Sequence, residues 1–349
     1  MALAADLWVM ASGLIALALL TMATLMAIRI IRDYRTALRR KALSGCRRVL
    51  LGLIAGQVDG RRDLVRLARR GDLMADTLLE IAGLIRGADR DLLLTGIKAA
   101  GGFEPLARGA KRGGRRRRLI GLEAIATFPL VDCEPVLRNS LRDLDPEIRL
   151  AGVSGLIEAG AAISPAQLIH AAREGRLPVS LRFMGLLKRL IGLHPDAAVG
   201  VLGKSDLPLA YQLMLADGLG ECGTYSAIPI LVEKSQASSP ELRAVAIIAL
   251  GRLRHPGAEI TVLRAMADTD WRVRRAAVEA VGLINPEGHV AALSERLADP
   301  VWIVRTQAAR TLARGAAESQ AALRYVSRFD PEGRTRELAA SVLGQGLAA

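Results

Sequence analysis

Apolar residues in the second half of the chain recur at three- and four-residue steps. From Trp271, the residues Val273, Ala276, Ala277, Ala280, Val281 and Ile284 fall on one face of a helix. The run Asn285-Pro286-Glu287-Gly288 carries turn chemistry and ends that helix. Val290, Leu293 and Leu297 then mark a second helix from about His289 to Ala298, and Asp299-Pro300 restarts the pattern. The predicted unit is a helix hairpin. It recurs on a ruler: Leu242-Arg243, Val273-Arg274, Val304-Arg305 and Thr335-Arg336 stand 31 residues apart. Upstream, the ruler meets Tyr211-Gln212, Leu181-Arg182, Ile148-Arg149 and Arg117-Arg118. A period of this size predicts a solenoid, in which each unit buries its apolar face only against its neighbours.

Polar residues keep the same phase. Six places before the Arg or Gln stands an Asp in five units, Asp143, Asp206, Asp268, Asp299 and Asp330. Its position predicts a helix cap, because a carboxylate accepts from the first unpaired amides and suits the positive helix end. Pro146, Pro178, Pro208, Pro240, Pro300 and Pro331 crowd the same turn, where a missing N–H is tolerated. Three places after the Arg, the small residues Ala277, Ala308 and Ala339 predict close approach of adjacent hairpins. Trp271 and Trp302 share one phase, which predicts that they cover the seams between units rather than anchor a partner.

The runs Val273-Arg-Arg-Ala-Ala-Val-Glu-Ala-Val-Gly282 and Leu242-Arg-Ala-Val-Ala-Ile-Ile-Ala-Leu-Gly251 resemble the HEAT-repeat family, in the short form also found in bilin-lyase proteins. The likeness is specific over residues 239 to 346 and keeps register from 114. Between 33 and 113 helices are expected without a clean unit, although Leu92 to Gly102 reads as a degenerate one. The resemblance implies an all-α fold, a right-handed α-solenoid of about seven HEAT-like hairpins. It also implies that Arg and Asp contact each other along the stack. The residues of that structural ladder are Arg149, Arg182, Arg243, Arg274, Arg305 and Arg336 with Asp143, Asp206, Asp268, Asp299 and Asp330.

A second pattern lies at the start. Leu7 to Ile28 carries no charge over 22 residues, and at 1.5 Å per residue it spans roughly 33 Å, enough for a bilayer core. No Lys or Arg precedes it, whereas Arg29, Arg32, Arg35, Arg39, Arg40 and Lys41 follow it. That order predicts an uncleaved anchor rather than a signal peptide. By the positive-inside rule the N-terminus faces out, and the rest is cytoplasmic at a bacterial inner membrane. The expected division is a transmembrane helix at 7–30, a basic juxtamembrane helical region at 31–113 and the solenoid at 114–349.

The net charge of +13 is unevenly placed. Residues 29–118 hold 23 Lys/Arg against 9 Asp/Glu, whereas 119–349 hold 25 of each. A nucleic-acid track along the solenoid would need a basic stripe running through it, so nucleic acid is not expected as a partner. The excess suits anionic head groups at the inner leaflet, worth about 1 kcal/mol per basic residue near the surface. Its densest part is Lys111, Arg112, Arg115, Arg116, Arg117 and Arg118, interrupted by Gly113-Gly114. A solvated loop against the membrane is one reading; a docking site for lipid phosphate, a nucleotide, RNA or an acidic protein is the other.

Signals for catalysis are thin. Cys46, Cys133 and Cys222 lie nearly 90 residues apart, without zinc or disulfide spacing. His170, His194, His255 and His289 fall in or beside turns, and none precedes a Glu, unlike the iron-dependent hydroxylase branch of the repeat family. No phosphate-binding loop, dinucleotide fingerprint or nucleophile elbow is present. The expectation is a non-enzymatic, cofactor-free scaffold for a protein partner in a membrane machine, such as a polysaccharide glycosyltransferase, secretion or signalling assembly. A bilin-lyase-like ligand handler and a nucleic-acid-binding solenoid are the alternatives.

Overall fold

The computed structural model describes residues 2–55 and 71–346, with side chains other than those of 2–18, Arg35, Arg39, Asp72 and 345–346. Every regular element among them is a helix. Chain contacts define two compact units, Met1–Ala161 and Ala162–Ala349.

The first unit opens with α1, Ala2–Ile54, an unbroken helix of 53 residues. It has two characters. Leu19, Leu20, Met22, Leu25, Met26, Ile28, Ile30 and Ile31 are each more than half exposed, whereas Cys46 and Leu50 are buried. The buried end packs on α2 (Gly71–Ala82) and α3 (Ala88–Ala99), and Arg47 is paired with Glu80. Among the described residues no helix is long and apolar enough to cross a membrane. The first twelve residues of the expected span, 7–18, have side chains outside the described set. The expected degenerate unit at Leu92 to Gly102 occupies α3 and the turn after it.

Three hairpin helices follow α3, namely α4 (Phe103–Lys111), α5 (Arg115–Ala126) and α6 (Leu130–Ser140), before α7 (Pro146–Glu158) closes the unit. Their core is Met74, Leu78, Leu93, Ile97, Leu106, Leu122, Ile125, Leu137 and Ile148, all at most 1% exposed. Glycine lets helices of this unit touch at the backbone. A Cβ on Gly121 of α5 would stand 2.7 Å from the Ala110 nitrogen of α4.

The second unit contains α8 (Pro165–Arg173), α9 (Leu181–Leu193), α10 (Pro195–Leu202), α11 (Leu209–Cys222), α12 (Ile228–Lys234), α13 (Pro240–Leu253), α14 (Glu259–Ala265), α15 (Trp271–Ile284), α16 (Val290–Glu295), α17 (Trp302–Arg314), α18 (Ala317–Phe329) and α19 (Gly333–Gly346). The longer helices α11, α13, α15 and α17 stack in chain order, and the shorter ones back them. The repeat is thus a HEAT-like hairpin, with a second helix shorter than the pattern from His289 to Ala298 suggests. Only Val290–Glu295 is α-helical there, and the flanking residues Glu287–His289 and Arg296–Ala298 form single 3₁₀ turns.

A column of glycines sets the stacking distance. Gly220, Gly251 and Gly282 stand 31 residues apart on α11, α13 and α15. A Cβ on Gly220 or Gly251 would meet the Cα of Ala249 or Ala280 at 2.6 Å, and one on Gly282 would meet Thr311 Cγ2 at 2.5 Å. Ala277, Ala308 and Ala339 are fully buried as the pattern predicts, and the glycines add close approach at the backbone.

Candidate functional site

The repeat-phase arginines work inside the stack. Arg243 Nη1 donates to the carbonyls of Ala237 and Ser238 at 3.0 and 3.2 Å, while Nε and Nη2 grip Asp268 at 3.0 and 2.9 Å. Arg274 repeats this on Asp268 and Thr269, with Asp299 gripped at 2.7 and 3.0 Å. Each guanidinium therefore ties its own turn to the turn 25 residues on. A forked donor set matches a carboxylate in two bonds. Arg149, Arg305 and Arg336 keep the two carbonyl contacts, at 2.7 to 3.3 Å. Arg182 stands half-buried at the start of α9, and Asp206 is bound by Arg173 at 3.1 Å.

The aspartates of this ladder are not the helix caps that their position suggests. Asp143, Asp268, Asp299 and Asp330 each accept from the amide two residues on, at 2.8 to 2.9 Å, and so close the turn ahead of the helix. The caps stand two residues later, where Asp145 and Asp270 accept from Glu147 and Arg272; Ser239 caps α13 through Leu242. The reason is electrostatic. The ladder carboxylate must face the preceding arginine, which leaves the helix amides to a second polar residue. Burial pushes the Asp268 and Asp299 carboxyls up, but the arginine hydrogen bonds, a backbone amide bond to each carboxylate and the charge of the guanidinium together outweigh it and hold both below the usual carboxylate range. Hydrogen bonds from Arg272 hold Asp270 at about 2.

The basic residues divide in three. On α1, Arg29 and Arg32 are 77% and 70% exposed, and Arg40 and Lys41 are exposed as well; the side chains of Arg35 and Arg39 lie outside the described residues. In the second cluster, Arg118 takes the ladder position, paired with Asp143 in the turn 25 residues on. Arg115 meets Asp145 at 3.3 Å. Lys111, Arg112 and Arg116 are exposed and have no acidic partner among the described residues.

Arg115, Arg116 and Arg117 edge a cavity of about 450 Å³ in the first unit. Its other walls are Gly71 and Ala75 with Asp76 of α2, Leu106 and Gly109 of α4, and Gly114, Ile120 and Gly121 at and within α5. The loop reading of 111–118 therefore holds only at Arg112 to Gly114, since α5 begins at Arg115. Gly113 supplies the left-handed backbone, φ +121°, that turns the chain between α4 and α5.

The groups weighed for chemistry sit elsewhere. Cys46 and Cys133 are buried, Cys222 is half-buried, and none is in a disulfide. Burial pushes the Cys133 thiol up to about 11, away from the thiolate a nucleophile needs. Among the described residues no three His, Cys, Asp or Glu gather as a metal site. His255 Nδ1 accepts from Gly257, and His289 meets Glu259. Trp271 is half-buried as a seam residue would be, and Trp302 is 61% exposed at the start of α17.

Residues 228–313 match the family model for HEAT repeats. No curated protein matches the chain. Similar solved structures include an engineered protein, at 16% identity and TM-score 0.34 over 87% of this chain and 99% of that one. Importin beta is similar at 14% identity and TM-score 0.45 over 84% of this chain and 46% of that one. The karyopherin Kap121p bound to Ste12p is similar at 13% identity and TM-score 0.45 over 87% of this chain and 41% of that one. The chain thus spans less than half the length of the karyopherin and importin chains.

Proposed function

We propose that this protein is a membrane-tethered scaffold. In this reading the first half of α1 lies in the bilayer, the cations from Arg29 to Lys41 contact anionic head groups on the cytoplasmic side, and the HEAT hairpins bind a protein partner. The observation that carries it is the row of eight large apolar side chains between Leu19 and Ile31, each more than half exposed, that ends among arginines. Leaving such a row in water costs on the order of 10 kcal/mol, at about 1.5 kcal/mol or more per side chain. A bilayer removes that cost, and residues 7–18 extend the uncharged run in the sequence. The hairpins supply a broad surface for a partner without any catalytic group, and the reading assigns the chain neither an enzymatic role nor a cofactor.

Fractionation of cells expressing the full chain tests the tether. The protein is expected in the membrane pellet after alkaline carbonate, and a variant lacking residues 1–30 in the supernatant. Release of the full chain by carbonate would overturn the tether. Crosslinking before solubilisation is expected to recover one membrane-associated protein in stoichiometric amount, the kind of subunit found in a polysaccharide-synthesis, secretion or signalling assembly. Recovery of none would overturn the scaffold role.

A further inference from the structure

We propose that the cavity between α2, α4 and α5 binds a small organic phosphate, with its phosphate at the Arg115–Arg117 rim and its less polar body on the apolar floor. This inference does not depend on the tether. The lining holds three arginines and Asp76; Arg115 also meets Asp145 at 3.3 Å, and Leu106, Ala75, Gly109 and Gly121 are buried and offer an apolar floor. A volume of about 450 Å³ falls in the range of small-molecule sites and far exceeds a bare phosphate ion.

The start of α5 is not arranged for helix stability. In the second unit, α8, α9 and α13 open on a serine and α15 on an aspartate, each accepting a backbone amide, whereas α10, α11 and α17 open without a side-chain cap. Helix α5 opens on Gly114, which has no side chain to cap with, and its first turn is four arginines at the positive end of the helix. Cations there repel the helix dipole, and an anion among them reverses the sign of that interaction. Arg116 has no acidic partner among the described residues. The Arg117 side chain is folded back over glycine backbone, with Cδ 3.0 Å from where a Cβ of Gly113 would stand and Nε 3.8 Å from that of Gly109. A side chain at Gly113 would crowd it, whereas a Cβ at Gly109 would leave it an ordinary contact.

A lipid head group and a soluble nucleotide share this chemistry, a phosphate on a less polar body. Calorimetry on the full chain in phosphate-free detergent separates them with three probes: inorganic phosphate, adenosine monophosphate and dihexanoyl phosphatidylglycerol. One of the two organic probes is expected to saturate a single site at least about tenfold more tightly than inorganic phosphate, and which one binds identifies the source. Arg116→Gln is expected to weaken it about tenfold, the loss of one charge-assisted hydrogen bond. Gly114→Asp is expected to abolish binding without lowering Tm. Nothing lies within 4 Å of a Cβ at Gly114, and its extended backbone, φ −67° and ψ 157°, suits a cap that would occupy the amides itself. No saturable binding of either organic probe, or binding unchanged in both variants, would overturn the proposal. Should Arg116→Gln unfold the unit, Gly114→Asp decides alone, because it strengthens the helix start.

Discussion

At the scale of single residues, the Arg274–Asp299 pair shows what holds successive turns together. Asp299 is 1% exposed at its side chain and Arg274 11%, so removing the charge of one strands the other. Asp299→Asn is expected to cost about 3 kcal/mol in denaturant unfolding, the range for a broken buried pair. Asp330→Ala, which loses only the bond from the Glu332 amide, is expected to cost about 1 kcal/mol. The pairs also set the response to acid. The folded Asp268 and Asp299 carboxyls lie below their unfolded value of about 3.9. Their contribution is therefore complete above that value and lost as pH falls through it toward the folded ones. A melting temperature that drops below about pH 4.5 in the wild type, and less steeply in Asp299→Asn, is the expected outcome of a pH series. Arg118 marks where sequence reading stops at this scale. It sits on the ruler, but three neighbouring arginines make it look like one more surface cation, and only its contact with Asp143 separates it from them.

At the scale of elements, the helices were readable because their apolar residues recur at helical steps and their turns carry Pro, Asp and Gly. Trp271–Ile284 begins and ends where that pattern does. The contacts between helices were less readable. Gly251 and Gly282 appear in the sequence as the last letters of the repeat motif, but their partners Ala280 and Thr311 lie 29 residues on, a spacing unrelated to the period. The offset arises because a helix touches its neighbour across the stack, at a height set by the intervening hairpin. Gly251→Ala is expected to cost about 1 to 3 kcal/mol, since its Cβ would fall 2.6 Å from Ala280 backbone that cannot rotate away. At Gly282 the obstacle is a threonine methyl, and Gly282→Ala is expected to cost less. Urea unfolding of the two variants side by side checks the order.

At the scale of the whole molecule, the charge count held most of the usable information. Neutrality of residues 119–349 separates the repeat array from any long basic track, and in the second unit several cations are met by carboxylates: Lys188 by Asp217 and Glu221 at 3.1 and 2.9 Å, and Arg252 by Asp217 at 2.7 Å. The excess charge lies on α1 and around α5. The cavity was not legible in the sequence, because its walls come from positions 71 to 121, on three helices, and five of the eleven are glycine or alanine with no pattern of their own. If the α1 cations act on lipid, replacing Arg29, Arg32, Arg40 and Lys41 with Gln is expected to leave folding intact and to weaken recruitment to anionic vesicles by several kcal/mol at low salt, at about 1 kcal/mol each. Flotation with phosphatidylglycerol vesicles measures it.

One rung of the ladder lacks both its charges. Where α13 and α15 present Arg243 and Arg274 to an aspartate 25 residues on, α11 presents Gln212 to Ala237, and the amide reaches only the Leu207 carbonyl, at 2.6 Å. That rung therefore lacks the forked ion pair, and the seam from α11 to α13 is tied instead by Arg252 on Asp217 at 2.7 Å. Supplying the missing pair with Gln212→Arg and Ala237→Asp is expected to raise the urea midpoint of the array, and Arg252→Gln to lower it.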